Sequence, residues 1–198
     1  MGDAARYPGS CVRAEVCVSL LDRLQEIHAA DWKEVSMPAW AASLVFLLVV
    51  AWFSHTGQRW VWFLDGANLL FHEAGHPLFG LLWSPLMVYG GTLMQLILPA
   101  VVCGSFWARR EAASFAVACM WLSQNFWNIA HYMADARAQV LPLVGGGEHD
   151  WATVFSNWGV LQLDTGIAGF TRLIGWAGML AAAGWLTWRW RTDRGLAR

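Results

Sequence analysis

The chain has 198 residues, of which 57% are hydrophobic and only 14% charged, and its formal net charge is −1. A soluble domain carries nearer a quarter charged residues, so this composition, with a mean hydropathy of +0.39, points to a small multi-pass membrane protein. The near-neutral charge argues against nucleic acid as a partner. Four cysteines without a CxxC pair offer no cysteine zinc site, and Cys103 and Cys119, lying in apolar runs, read as buried thiols.

Residues 1–37 form a polar N-terminal segment without the apolar core of a signal peptide. Val16, Leu20, Leu21, Leu24 and Ile27 recur at helical spacing, which predicts a short amphipathic helix on the membrane surface. Met37 is an alternative start, which would make this segment a non-native extension. Residues 38–198 read as a single transmembrane domain, an all-α bundle of about five spans. The first runs from Pro38 to Phe53, followed by a polar turn from Ser54 to Arg59. The second, from Trp60 to Trp83, is broken by Ser84-Pro85. The third covers Leu86 to Trp107, and Arg109-Arg110-Glu111 turns the chain into the fourth, from Ala112 to about Asp135. A polar connection then leads to the fifth, Gly166 to Trp188. Several of the 15 tryptophans, such as Trp40, Trp60, Trp83 and Trp188, fall near span ends, as interfacial anchors do. With five spans, Arg59, Arg109, Arg110 and the C-terminal arginines share one face. The positive-inside rule then places the C-terminus in the cytoplasm of a bacterial inner-membrane protein, and the N-terminus and the Gly145–Asp150 loop outside.

The second span contains His72-Glu73-Ala74-Gly75-His76. Histidines four apart share a helical face and can present two imidazoles to one metal ion. The glutamate of an HExxH site is the general base that deprotonates water. Placing His, Glu and His in hydrocarbon is costly unless it serves a function. A catalytic zinc needs a third protein ligand, and the fourth span offers candidates. Gln124, Asn128, His131 and Asp135 are spaced by four, three and four, forming one stripe on an otherwise apolar helix. Asp135 is the expected ligand and His131 the alternative. The depths agree imperfectly, because at 1.5 Å per residue His76 lies roughly 24 Å along its helix and Asp135 roughly 36 Å. His149 and Asp150, in the loop after the fourth span, could fold back over the site. Asp65 and Asn68 share the face of His72 and could orient a ligand histidine, while Gly175, Gly178 and Ala182 read as helix-packing positions.

His-Glu-Ala-Gly-His followed by Pro-Leu-Phe-Gly, inside a membrane helix, resembles the site-2 protease class of intramembrane zinc metalloproteases. The resemblance covers roughly residues 60–136. It implies a second motif near the substrate, to which Gly91-Thr92-Leu93-Met94-Gln95 is similar with glutamine in place of asparagine. It also implies an aspartate ligand on a later span, where Met133-Ala134-Asp135-Ala136 keeps only the aspartate. The expected function is therefore a zinc-dependent intramembrane endopeptidase cleaving transmembrane segments of other membrane proteins. Zn2+ would sit on His72, His76 and Asp135, with Glu73 as the base and Gln95, Asn128 or His131 as donors to the oxyanion. The competing expectation is a non-catalytic metal-binding or scaffolding subunit of a larger membrane complex, and a third is a haem-binding bundle. Histidines on adjacent turns of one helix suit a small ion better than axial haem ligation.

Overall fold

A computed structural model describes residues 21–56, 59–144 and 147–195, and every regular element among them is a helix. Residues 21–29 form α1, so the second half of the predicted amphipathic segment is helical; Val16 and Leu20 lie outside the described residues. The long helices are α2 (Met37–His55), α3 (Trp62–Leu82), α4 (Met87–Ala108), α5 (Ala112–Ala134) and α7 (Asp164–Asp193), with a short α6 (Asp150–Asn157) between α5 and α7. Local signals explain the boundaries. Ser36 caps α2 by accepting from the Ala39 amide at 3.3 Å, with Pro38 in the first turn. Trp83 turns extended, and Ser84–Leu86 makes one 3-10 turn before α4. His149 caps α6, its Nδ1 accepting from the Ala152 amide at 3.2 Å.

Among the described residues, three helices are long and apolar enough to cross a membrane: Met37–His55, Ser84–Ala108 and Leu161–Asp193. α3 and α5 fall short because each carries polar side chains to the interior. Asp65, Asn68 and His72 are buried on α3, as are Ser123, Gln124 and Asn125 on α5. α5 is the central helix, in contact with α2, α4, α6 and α7. Gly175 and Gly178 of α7 close this packing, since a Cβ at Gly175 would meet Trp127 at 2.5 Å and one at Gly178 would meet Ser123 Oγ at 2.5 Å.

The ends of the helices correct the expected alternation of five spans. At one end, the Val35 amide donates to Asp193 Oδ2 at 2.9 Å, and the indole of Trp40 donates to Thr187 at 3.1 Å. Lys33 pairs with Glu111 at 2.9 Å, and Trp32 packs on Phe115 and Trp185. The start of α2, the α4–α5 turn and the end of α7 therefore lie together, so the segment entering α2 is on the same side as the C-terminal end. The expectation of opposite sides fails because α3 does not reverse α2. α3 and α4 form an antiparallel hairpin, with His76 beside Met87 and His72 beside Gln95. α4 runs toward the shared end, so α3 runs away from it, as α2 does. Val61, just before α3, belongs to the same buried apolar cluster as Val50, Met120 and Met179. After His55 the chain thus doubles back into the bundle, and α3 begins at mid-depth.

A helix that begins inside a bundle needs partners for its first amides. Asp65 supplies one by accepting from the Val61 amide through Oδ2.

Candidate metal centre

α3 presents His72 and His76 on one face toward α4, with ring centroids 4.9 Å apart. Two glycines bring the helices this close. A Cβ at Gly75 would collide with the Gly90 carbonyl, and a Cβ at Gly91 would lie 2.6 Å from His72 Nε2 and 2.7 Å from His76 Nε2. Gly91 thus gives the pair of rings a bare backbone floor, where any side chain would fill the space they occupy.

Each imidazole is anchored through Nδ1. His76 Nδ1 donates to the Met87 carbonyl at 2.8 Å, and His72 Nδ1 donates to Gln95 Oε1 at 3.3 Å. A carbonyl oxygen can only accept, so both rings carry a proton on Nδ1 and turn Nε2, the nitrogen left for a metal once its own proton is displaced, toward the same point. That point faces Asp150. Asp150 Oδ2 lies 2.9 Å from His72 Nε2 and 3.4 Å from His76 Nε2.

The carboxylate is held in turn by Tyr132, whose hydroxyl accepts the Asp150 amide proton at 3.1 Å and lies 3.5 Å from Oδ2. Burial alone would raise the Asp150 carboxyl, but hydrogen bonds to the two imidazoles outweigh it and hold it down at about 2. It is an anion at neutral pH.

One ligand atom from each of His72, His76 and Asp150 lies within 4.8 Å of the others. A tetrahedral zinc with bonds of about 2.0–2.2 Å separates its ligand atoms by roughly 3.4 Å. Two imidazoles and one carboxylate are also the donor types such an ion takes, so the residues fit a divalent cation of this kind. The three residues border a cavity of about 1350 Å³ whose lining also includes Glu73, His131, Tyr132 and Leu143.

The expectation that Asp135 completes the histidine pair is corrected by this geometry. Asp135 is the C-cap of α5, and its oxygens accept the Val140 and Leu141 amides at 3.0 Å each. His149 Nε2 lies 3.5 Å from Asp135 Oδ2. Asp135 thereby shapes the connection that delivers Asp150, one step removed from the histidines. Burial holds His149 below its ordinary range against the pull of Asp135 and Asp150, leaving it a neutral capping residue. His131 lines the cavity outside the three-residue group.

Gln95 and Asn128 also border the cavity, yet their hydrogen bonds run inward. Gln95 Nε2 donates to Asn128 Oδ1 at 2.7 Å, and Asn128 Nδ2 donates to Asp65 Oδ1 at 3.1 Å. Gln124 and Asn68 donate to the same Asp65 oxygen at 2.6 and 3.3 Å. Both residues of the Gly91–Gln95 pattern that bear on chemistry, its ends, therefore reach the histidines. Sequence reasoning left out Tyr132 and the Met87 carbonyl, and no spacing rule singles out either.

Compared with protein-family models, with curated proteins and with solved structures, the chain matches none.

Proposed function

We propose that the chain is a zinc-dependent intramembrane endopeptidase of the HExxH type that cleaves transmembrane segments of other membrane proteins. The observation that carries this reading is the convergence of three ligand atoms at one cavity whose lining also includes Glu73. His72, His76 and Asp150 would hold the ion, which supplies Lewis acidity that polarises a peptide carbonyl and acidifies water. Glu73 follows His72 directly and precedes His76 by three residues, so its carboxylate flanks the pair on the cavity side. There it takes a proton from water and returns it to the leaving amine. Small-molecule pockets run to about 1000 Å³, and a larger cavity suits an unwound stretch of polypeptide. Tyr132 steadies the acid ligand, while Gln95 and Asn128 steady His72 rather than the substrate.

In this reading α2, α4, α5 and α7 cross a bacterial inner membrane. α3 enters as a re-entrant helix, which a bilayer tolerates only where the broken backbone is buried in protein or lines a cavity. Lys33, Arg109, Arg110, Arg189, Arg191 and Arg194 share the end that holds both termini of the bundle, and by the positive-inside rule this supports a cytoplasmic position for that end. The Gly147–Asp150 stretch and the mouth of the site then face outward.

Glu73→Gln leaves every ligand in place and removes the base. In cells expressing the parent, membrane-protein fragments ending within transmembrane segments should appear, and the Glu73→Gln protein should give none while keeping its zinc. Identical fragment patterns from the two proteins would remove the peptidase and leave a metal-holding scaffold.

A further inference from the structure

The line of hydrogen bonds behind His72 has a direction, and Asp65 sets it. The Asp65 carboxylate accepts from four donors, the Val61 amide on Oδ2 and the side-chain amides of Asn68, Gln124 and Asn128 on Oδ1. Surrounded by donors, it acts as an acceptor only. Asn128 must therefore point its NH2 at Asp65, which turns its Oδ1 toward Gln95. Gln95 must then point its own NH2 at Asn128, which turns its Oε1 toward His72. An oxygen at that place accepts only, so His72 must carry its proton on Nδ1. Were either amide reversed, an NH2 group would face Nδ1, the proton of the neutral ring would rest on Nε2, and Nε2 could not serve an ion beside Asp150.

We infer that Asp65 is a positioning residue for the metal centre, acting through Asn128 and Gln95 to fix the His72 tautomer. This rests on the metal-centre reading of His72, His76 and Asp150. Metal-ligating histidines commonly lean on a carboxylate directly; here two carboxamides on two different helices carry the same polarity from a carboxylate at the start of α3. Three hydrogen bonds aligned head to tail in a buried setting strengthen one another. The arrangement also gives a reason for the polar residues of α5: Asn128 is a link, while Gln124 holds the anion at the far end and takes no part in the line to His72.

The test is Co2+ binding by the full-length purified protein in detergent, followed by the visible absorption of the bound ion. Asn128→Leu and Gln95→Leu should each weaken Co2+ binding by roughly 10–100-fold, the range for residues that orient metal-bound histidines. Gln124→Leu removes a donor to the same Asp65 oxygen but leaves the line intact, and should bind as the parent does. If the polar interior matters only for folding, all three variants lose affinity together, and the inference is overturned.

Gln95→Glu adds an independent arm, because a carboxylate beside Nδ1 demands the proton there whatever Asn128 does. In a Gln95→Glu background, Asn128→Leu should then cost no affinity. An equal loss in both backgrounds refutes the proposed route from Asp65. If all relay variants bind like the parent while His72→Ala does not, the metal centre stands and the role of Asp65 falls. If the parent itself binds no Co2+, both fall.

Discussion

Gly91→Ala adds one methyl group to the floor of the histidine pair. The new Cβ would sit 2.6 Å from both Cε1 and Nε2 of His72 and 2.7 Å from Nε2 of His76. Carbon and nitrogen atoms rest at about 3.5 Å or more, so each ring must retreat by about 0.8 Å. The alternative is to part α3 from α4, which the Gly75–Gly90 backbone contact one residue away resists. Metal–ligand distances tolerate only about 0.2 Å, so a displacement near 0.8 Å takes both nitrogens out of range together. Affinity for Co2+ should fall by at least about a hundredfold, roughly 2.7 kcal/mol, and overpacking should lower the stability of the hairpin by about 1–3 kcal/mol. Gly104→Ala, on the same helix but with nothing near its Cβ position, serves as the control and should leave binding unchanged. Titration of Co2+ into the purified variants, with thermal melts alongside, reads both effects. Parent-like affinity and spectrum in Gly91→Ala would refute the placement of the two rings.

Asp150→Ala should abolish tight metal binding, whereas Asp135→Asn should keep the three ligand residues and weaken binding only through a loosened connection; the reverse order, measured by zinc content after dialysis, would restore Asp135 as the ligand. Tyr132→Phe removes the acceptor of the Asp150 amide and should weaken Co2+ binding by about tenfold, and unchanged affinity would show that α6 needs no such support. Cysteines engineered at Thr153 and at Arg194 should behave oppositely toward an impermeant thiol reagent in intact cells, the first labelled and the second protected. Lys33→Cys should follow Arg194→Cys, and labelling of Lys33→Cys together with Thr153→Cys would overturn the shared face of the two termini.

The helices themselves were legible because their signals are local: Ser36-Met37-Pro38, Ser84-Pro85 and the charged Arg109–Glu111 turn each mark a boundary within a few residues. The pair His72 and His76 was legible for the same reason, one helical period apart. α5 announced its polar stripe, yet the stripe alone could not say which residues meet the histidine pair and which meet Asp65. Asp135 looked well placed by spacing, but as the last capping position of α5 its carboxylate finds free amides at Val140 and Leu141 first. Asp150 was legible only as a loop residue that could fold back over the site, because its approach depends on how the intervening connection folds. The reversal at Val61 was invisible for a different reason. An apolar run gives length and not direction, so a re-entrant helix and a crossing one read alike.

The separation of the ligands along the chain carries one more consequence. Asp150 stands 78 positions beyond His72, so an ion joining them closes a loop that takes in the whole of α4 and α5. The entropy of such a closure grows only with the logarithm of its length, and most of it is already spent, because Tyr132, Asp135 and the α6 cap hold the connection in place through contacts that involve no ion. Affinity at this centre is therefore a readout of how well a stretch of chain outside the long helices is folded. Substitutions there, at positions that never touch the ion, should retune the site over a graded range while the bundle beneath keeps its shape.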